Sequence, residues 1–271
     1  MILLEIIIPF LFFLVIIFLI LEYSLFIPSK KGLRVLMYHN ISEGLYDGLN
    51  IPADKFELHL MYLKEKGYQT ISIRQLSEIT RNESRLPEKA VILTFDDAYA
   101  GIEKPLLKLL ERYQFNAVIF VPVAFIGKSN IWDDGKLEIL SAESLQKLSH
   151  DKHIEIGLHS FLHRSYKDLA PEDIQEDLNN CQETLNYYKI PYVKALAYPY
   201  GGYPKKDMKL KQEMFELLRN SGIEFAFRIG NRINSFPLRE NYELRRIDIK
   251  GTDSFFIFRT KLKKGRAKVF A

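Results

Sequence analysis

The sequence predicts an α/β fold in which parallel strands, flanked by helices, close into a barrel behind an N-terminal transmembrane helix. From residue 33 onward, short apolar runs alternate with amphipathic segments, which is typical of a parallel sheet covered by helices. The number of strand–helix units favours a barrel, and an open doubly wound sheet is the alternative. An almost unbroken apolar run at residues 6–21 precedes these units.

The apolar run at residues 6–21 is long enough for a membrane-spanning helix, and a secretory signal is the alternative. No small-residue cleavage site follows the run, so we expect an uncleaved anchor. The chain then divides into four parts. They are the anchor at residues 1–26, a linker at residues 27–32, the main domain at residues 33–260 and a basic tail at residues 261–271.

The distribution of charged residues predicts the membrane orientation, the state of the C-terminal tail and the class of partner. Lys30, Lys31 and Arg34 follow the apolar run while no basic side chain precedes it, so the positive-inside rule would place the main domain in the cytoplasm. We expect the basic tail to be solvated and mobile, and contact with an anionic surface is the alternative. The net charge of +4 is modest, and we expect no nucleic-acid partner. No Gly-rich phosphate loop follows a predicted strand, which argues against a nucleotide site.

The individual elements follow from local patterns. A predicted helix at residues 54–66, for example, repeats apolar residues on one face and is closed by Gly67. Residues 230–242 show no assignable pattern. We predict strands at residues 33–39, 68–73, 90–97, 116–121, 154–159, 193–199 and 223–228, and helices at residues 54–66, 73–80, 102–113, 142–150, 171–188 and 207–221.

Two adjacent carboxylates, Asp96 and Asp97, end the apolar run at residues 90–97. Residues at the carboxyl ends of parallel strands are where α/β enzymes usually hold their chemistry. Neighbouring residues on an extended strand point to opposite sides, so one carboxylate can bind a metal while the other handles a proton. The alternative is that the pair only caps the following helix.

A second polar cluster, His159 and His163, follows another predicted strand. Histidines four residues apart can bind one metal ion if the segment makes a helical turn. Together with Asp97 they would form a set of two histidines and one carboxylate, which leaves ligand positions open for water and substrate. This donor set suits Zn²⁺ or a similar divalent ion that acts as a Lewis acid.

Three motifs in order resemble a known family. They are Thr-Phe-Asp-Asp at residues 94–97, His-Ser-Phe-Leu-His at residues 159–163 and Tyr-Pro-Tyr-Gly at residues 198–201. The series is similar to that of the polysaccharide deacetylases with the NodB homology domain, carbohydrate esterase family 4. The resemblance extends from residue 33 into the last fifth of the chain, and it implies a distorted (β/α) barrel.

The resemblance also implies roles for individual residues. Asp97, His159 and His163 would bind the divalent ion, most simply Zn²⁺, with Co²⁺ or Ni²⁺ as alternatives. Asp96 would be the catalytic base. The backbone N–H of Tyr200, which follows the proline of the third motif, would help to stabilise the oxyanion.

The third motif further suggests substrate contacts. Tyr198, Pro199 and Tyr200 would lie beside the substrate. Tyr203 and Trp132 could also stack on sugar rings, although packing in the core is the alternative for aromatic side chains near a barrel.

The chain departs from the family pattern in two ways. The third motif usually begins with an arginine that pairs with the base, and that position is Ala197 here. Either another arginine, Arg245 or Arg246, takes its place, or the base is tuned differently. The family's usual C-terminal histidine, the general acid, is also missing, because no histidine follows His163. His39 is its expected replacement, as in the circularly permuted branch that deacetylates poly-N-acetylglucosamine, which this layout resembles.

These features predict a metal-dependent hydrolase that removes N-acetyl groups from an N-acetylhexosamine-containing polysaccharide or cell-surface glycan. Metal-activated water would attack the amide carbonyl, with Asp96 as base and His39 as acid. One alternative is a deacylase or deformylase of a lipid-linked sugar, and another is a membrane-anchored carbohydrate-binding protein without catalysis. By analogy with the resembling branch, we expect the domain outside the cytoplasm, although the charge pattern favours the opposite side.

Overall fold

Seven parallel strands close into a barrel in the computed structural model, which describes residues 2–23, 30–44, 46–133 and 137–267. The strands are β1 (Arg34–Tyr38), β2 (Asn40–Ser42), β3 (Asn50–Pro52), β4 (Gln69–Thr70), β5 (Ala90–Phe95), β6 (Ala117–Val121), β7 (Ile154–Leu158), β8 (Ala195–Ala197), β9 (Phe225–Ile229) and β10 (Leu244–Asp248).

The order of strands around the barrel is β1, β10, β9, β8, β7, β6 and β5, and the pairing of β1 with β5 closes the ring. The short strand β4 pairs with the beginning of β5, and β2 and β3 form a separate parallel pair. The predicted α/β barrel is therefore confirmed, and the open doubly wound alternative is wrong.

Helices occupy every segment in which a helix was expected. Two further elements lie beyond residue 242, where the sequence suggests none: strand β10 and a final helix. The helices are α1 (Ile2–Tyr23), α2 (Ala53–Glu65), α3 (Ile73–Arg81), α4 (Glu103–Tyr113), α5 (Ala142–Ser149), α6 (Pro171–Tyr187), α7 (Met208–Asn220) and α8 (Phe255–Lys264).

Alternate residues of the barrel strands face two separate cores, because successive side chains of a strand point to opposite sides. One set packs against the helices in a large hydrophobic cluster. The other set fills the inside of the barrel. This inner set includes Leu33, Val35, Ala90, Ile92, Val118, Phe120, Ala195, Ala197, Phe225, Phe227 and Leu244.

Helix α1 occupies most of the predicted anchor at residues 1–26. Its apolar side chains between Ile7 and Leu19 include many that are exposed. Within the part of the chain that the structure describes, no helix is both long and apolar enough to cross a membrane, so the predicted transmembrane helix is not supported. Residues 24–29, which include the start of the predicted linker at residues 27–32, lie outside the described residues.

The predicted solvated tail begins within helix α8. Lys261 is only 8% exposed, and its ammonium group lies 2.6 Å from the Asp253 carboxylate and 2.7 Å from the carbonyl oxygen of Asp248. Lys264 is also buried. The prediction of a solvated, mobile tail is therefore wrong as far as Lys264, because an ion pair and the packing of α8 hold these lysines. Residues 268–271 lie outside the described residues.

Candidate active site

Four of the predicted site residues meet at the carboxyl end of the barrel. His39, Asp96 and His159 directly follow β1, β5 and β7, and Arg246 lies on β10. The register pairs Tyr38 with Phe95, so His39 and Asp96 leave their neighbouring strands at the same level. Side chains of a strand alternate between the inside and the outside of the barrel, and all four residues occupy inward-facing positions. Their side chains therefore point into the mouth of the barrel.

Asp97, His159 and His163 converge on one point. Their ligand atoms all lie within 4.8 Å of one another, and all three residues are buried. The Nε2 atoms of His159 and His163 lie 3.4 and 3.1 Å from Asp97 Oδ1. Asp97 and His163 adopt left-handed backbone angles, with φ of 67° and 54°, which turn their side chains toward this point.

The donor atoms of this cluster fit a divalent metal ion. His159 Nδ1 donates to the carbonyl oxygen of Ala197 at 2.7 Å, so a neutral His159 presents the lone pair of Nε2 to Asp97. Asp97 Oδ1 is buried and has no hydrogen-bond partner among the described residues. Lone pairs that face one another without a proton between them are stabilised by a cation. The set of two imidazoles and one carboxylate suits Zn²⁺ or a similar ion.

Burial and neighbouring charges set the protonation of this cluster. Burial raises the pKa of Asp97, but its close contacts with His159 and His163 and their charge outweigh it and hold the pKa well below the usual carboxyl value. Burial lowers the pKa of His163. Burial also opposes protonation of His159, yet Asp96 and Asp97 raise its pKa on balance. Asp97 is therefore ionised at neutral pH, and a metal ion competes with a proton for His159.

Asp96 forms a buried bidentate ion pair with Arg246. The two guanidinium nitrogens lie 2.5 and 2.7 Å from the two carboxylate oxygens, and Arg246 is fully buried. Burial raises the pKa of Asp96, but the positive charge of Arg246 outweighs it and lowers the pKa below its usual value. Asp96 is thus ionised at neutral pH and held in one orientation.

Ala197, which occupies the position of the missing motif arginine, contributes to the site through its backbone. Ala197 lies inside the barrel, and its carbonyl oxygen orients His159. Of the two arginines expected to compensate, Arg246 contacts Asp96 and Arg245 does not. Arg245 is exposed, because it is the neighbour of Arg246 on β10 and points to the opposite side of the strand.

His39 lines the same cleft, which has a volume of about 340 Å³. Its ring is half-buried, and its Nδ1 is buried without a hydrogen-bond partner among the described residues. The cleft also contains Asp96, Asp97 and Arg246. The remaining lining residues come mainly from loops: Met37, Gly48, Leu49, Trp132, Asp133, His159, His163, Tyr200, Gly201, Ile229, Asp248 and Lys250.

Two aromatic side chains flank His163 at the cleft. The Trp132 ring stacks on His163 with ring centroids 4.1 Å apart, and the Tyr200 ring meets His163 edge-on at 4.8 Å. Tyr200 is 60% exposed and has a φ of 57°, which turns it out of the short helix that follows β8. Trp132 and Tyr200 therefore form an aromatic wall of the cleft beside His163.

Tyr198 and Tyr203 do not line the cleft, and the structure places both in the core, which is the alternative given above for aromatic side chains near the barrel. Tyr198 faces the helices, is fully buried and donates its hydroxyl to the carbonyl oxygen of Tyr242 at 3.1 Å. Tyr203 stacks on Tyr198 and donates to Glu243 at 2.5 Å. Pro199 is buried beneath the cleft-lining Tyr200 and does not itself line the cleft.

Asp177 is a residue near the site that the motifs do not identify. It lies on α6 between the buried residues Ile174 and Cys181. Its carboxylate accepts the backbone N–H of Phe161, which lies between His159 and His163 in the sequence. The sequence contains one sign of this role: Asp177 is acidic, although the 3.6-residue period places it on the apolar face of its helix.

Comparison with known proteins identifies related sequences and folds. The family model described as Polysaccharide deacetylase matches residues 83–231. "Putative polysaccharide deacetylase YxkH" of Bacillus subtilis (strain 168) is 28% identical over 186 residues, which cover 69% of this chain and 62% of that protein. "Poly-beta-1,6-N-acetyl-D-glucosamine N-deacetylase" of Escherichia coli (strain K12) is 34% identical over 90 residues, which cover 32% of this chain and 13% of that protein. The chain thus spans less than two thirds of either relative.

Among solved structures, a de-N-acetylase from Aggregatibacter actinomycetemcomitans has a TM-score of 0.70 and 19% sequence identity to this chain. The alignment covers 86% of this chain and 100% of that one. At this level of identity the similarity concerns the fold of the barrel.

Proposed function

Because the chain belongs to the polysaccharide deacetylase family, we propose that it is a metal-dependent hydrolase that removes N-acetyl groups from an N-acetylhexosamine-containing glycan. The Escherichia coli relative is named for poly-β-1,6-N-acetyl-D-glucosamine, so oligomers of this polymer are the first substrate to test. The chain's own cleft, open to solvent and lined by Trp132 and Tyr200, is compatible with a sugar chain that lies across it.

One observation carries the proposal: two carboxylates that are adjacent in sequence have separate partners in the same cleft. Asp97 faces two histidines in an arrangement that fits a cation, and Asp96 pairs with Arg246. His159 Nε2 lies 3.9 Å from Asp96 Oδ2, so the base is next to the metal cluster. Hydrolysis of an amide requires both an activated water and a base beside it.

Three protein groups of the cleft then have defined tasks in the reaction. When bound, the ion supplies a Lewis acid that activates water and polarises the amide carbonyl. Asp96 accepts a proton from the attacking water, while the N–H of Tyr200 donates to the developing oxyanion. His39 donates a proton to the sugar nitrogen as the carbon–nitrogen bond breaks. The products are acetate and a free amino sugar, so atoms and charge balance.

Removal of the metal tests this proposal directly. The full chain, loaded with Zn²⁺, is expected to release acetate from β-1,6-linked N-acetylglucosamine oligomers, because the ion and Asp96 act together. Treatment with a chelator should reduce acetate release to the uncatalysed background, and added Zn²⁺ should restore it. A folded, zinc-loaded protein that binds the oligomers without releasing acetate would favour the carbohydrate-binding alternative.

Replacement of His39 tests the general acid. We expect His39→Ala to lower kcat on the oligomers by roughly 10²-fold, as is common for the loss of a general acid. The same variant should hydrolyse an activated acetate ester, whose leaving group needs no proton, nearly as fast as the wild type. An equal loss on both substrates would assign His39 to another task, such as support of the cleft wall.

A further inference from the structure

The segment that carries both histidine ligands has an unusual backbone. Ser160 and His163 have φ angles of 62° and 54°, although neither is glycine. Left-handed conformations of such residues cost about 1–3 kcal/mol each and persist only where the surrounding structure enforces them. Some group must therefore hold this segment in its metal-binding shape.

Hydrogen bonds hold the segment from two sides. On one side, the backbone N–H groups of Val123 and Ala124 donate to the carbonyl oxygens of Ser160 and Phe161 at 3.2 and 3.0 Å. On the other side, the backbone N–H of Phe161 donates to Asp177 Oδ1 at 2.9 Å. The N–H of Phe161 lies midway between the two ligands, so this bond fixes the turn that brings them together.

The environment of Asp177 indicates that the bond to Phe161 has a specific purpose. Asp177 is 7% exposed and lies on the apolar face of α6, where burial of a carboxylate is costly. No salt bridge reaches it among the described residues. Its second oxygen, Oδ2, accepts the Tyr166 hydroxyl at 2.8 Å, and this contact fixes the carboxylate plane. Oδ1 therefore holds the segment, and Oδ2 holds the carboxylate in place.

We propose that Asp177 is a positioning residue that holds the segment from His159 to His163 in the geometry required to bind the metal ion. The inference rests on the proposed function only in that the cluster binds a divalent metal. It does not depend on which glycan is the substrate. Partners that orient metal ligands typically change metal affinity by about 10–100-fold when they are replaced.

Zinc affinity of the full chain tests the inference without any substrate. We expect Asp177→Leu, which removes the acceptor at similar volume, to weaken Zn²⁺ binding by roughly 10–100-fold in competition with a chromophoric chelator. Asp177→Asn keeps an acceptor for the Phe161 N–H and should lose at most about threefold. Asp173→Asn, one turn away and exposed on the same helix, is the matched control and should bind Zn²⁺ like the wild type.

Two further readouts separate positioning from general support of the fold. The absorption spectrum of bound Co²⁺ should change in Asp177→Leu and stay unchanged in Asp177→Asn, because the spectrum reports ligand geometry. In the metal-free wild type, the Phe161 amide should be protected from hydrogen exchange, since Asp177 holds it before metal binds. This second readout needs no variant and therefore applies even if Asp177→Leu does not fold.

Several outcomes would overturn the inference. They are a folded Asp177→Leu variant with wild-type zinc affinity, a large loss of affinity in Asp177→Asn, or free exchange of the Phe161 amide in the wild type. Failure of the proposed function has a different signature. In that case the wild type binds Zn²⁺ and the variants follow the expected order, but no acetate is released from the oligomers.

Discussion

Asp96→Asn is expected to lower kcat/KM for acetate release by roughly 10²–10⁴-fold while Zn²⁺ remains bound, because an amide cannot accept the proton that the attacking water must lose. Asp97 and both histidines, the proposed metal ligands, are unchanged in this variant, so zinc content measured on the same sample should match that of the wild type. The loss should appear in kcat more than in KM, since Asp96 acts on the reacting water and does not bind the sugar.

The control for this variant is Asp173→Asn, the same chemical change at an exposed position on α6. It should leave kcat/KM unchanged. If Asp96→Asn is folded and zinc-loaded but keeps activity within tenfold of the wild type (~1.4 kcal/mol), Asp96 is not the base and another group must take the proton.

Arg246→Met is expected to reduce the free energy of unfolding by about 3–5 kcal/mol, because it leaves the buried Asp96 carboxylate without its cation. Arg246 is fully buried and forms both of its short contacts with this one carboxylate. Urea denaturation of metal-free protein measures the change without a contribution from metal binding. Acetate release should fall as well, since Asp96 loses its fixed orientation.

The neighbouring arginine offers a matched control. Arg245→Met removes the same charge from the same strand, but on the exposed side, and should change the free energy of unfolding by no more than about 0.5 kcal/mol. The double variant Asp96→Asn with Arg246→Met should be more stable than Arg246→Met alone, because neither charge is then left unpaired. It should remain inactive. A single Arg246→Met variant as stable as the Arg245 control would contradict the proposed coupling.

Much of the site can be predicted from the sequence because its chemistry lies in short motifs at strand ends. Asp96, Asp97, His159 and His163 follow recognisable buried strands, and the barrel brings those strand ends together. His39 also reaches the cleft, as expected from its place after the first strand. Its role as an acid stays a prediction, as does the location of the domain outside the cytoplasm, which a reporter fused after Ala271 would test.

Other features could not be read from the sequence because they depend on which way a side chain points. Arg246 and Arg245 are chemically identical neighbours, and only the register of β10 decides which one enters the barrel. The same alternation sends Tyr198 to the helix side of β8, although its motif suggests the cleft. The burial of Lys261 could not be predicted, because its acceptor Asp253 becomes a neighbour only when α8 forms.

The closure of the barrel by its first and last strands has a consequence for how the protein is made. Asp96 and Arg246 are 150 residues apart in the chain, and β10, which carries Arg246, borders β1, which leads into His39. During synthesis, therefore, Asp96 emerges long before Arg246, and β1 lacks one of its two neighbours until β10 follows. A growing chain therefore cannot assemble the complete cluster of Asp96, His39 and Arg246 before β10 has been synthesised.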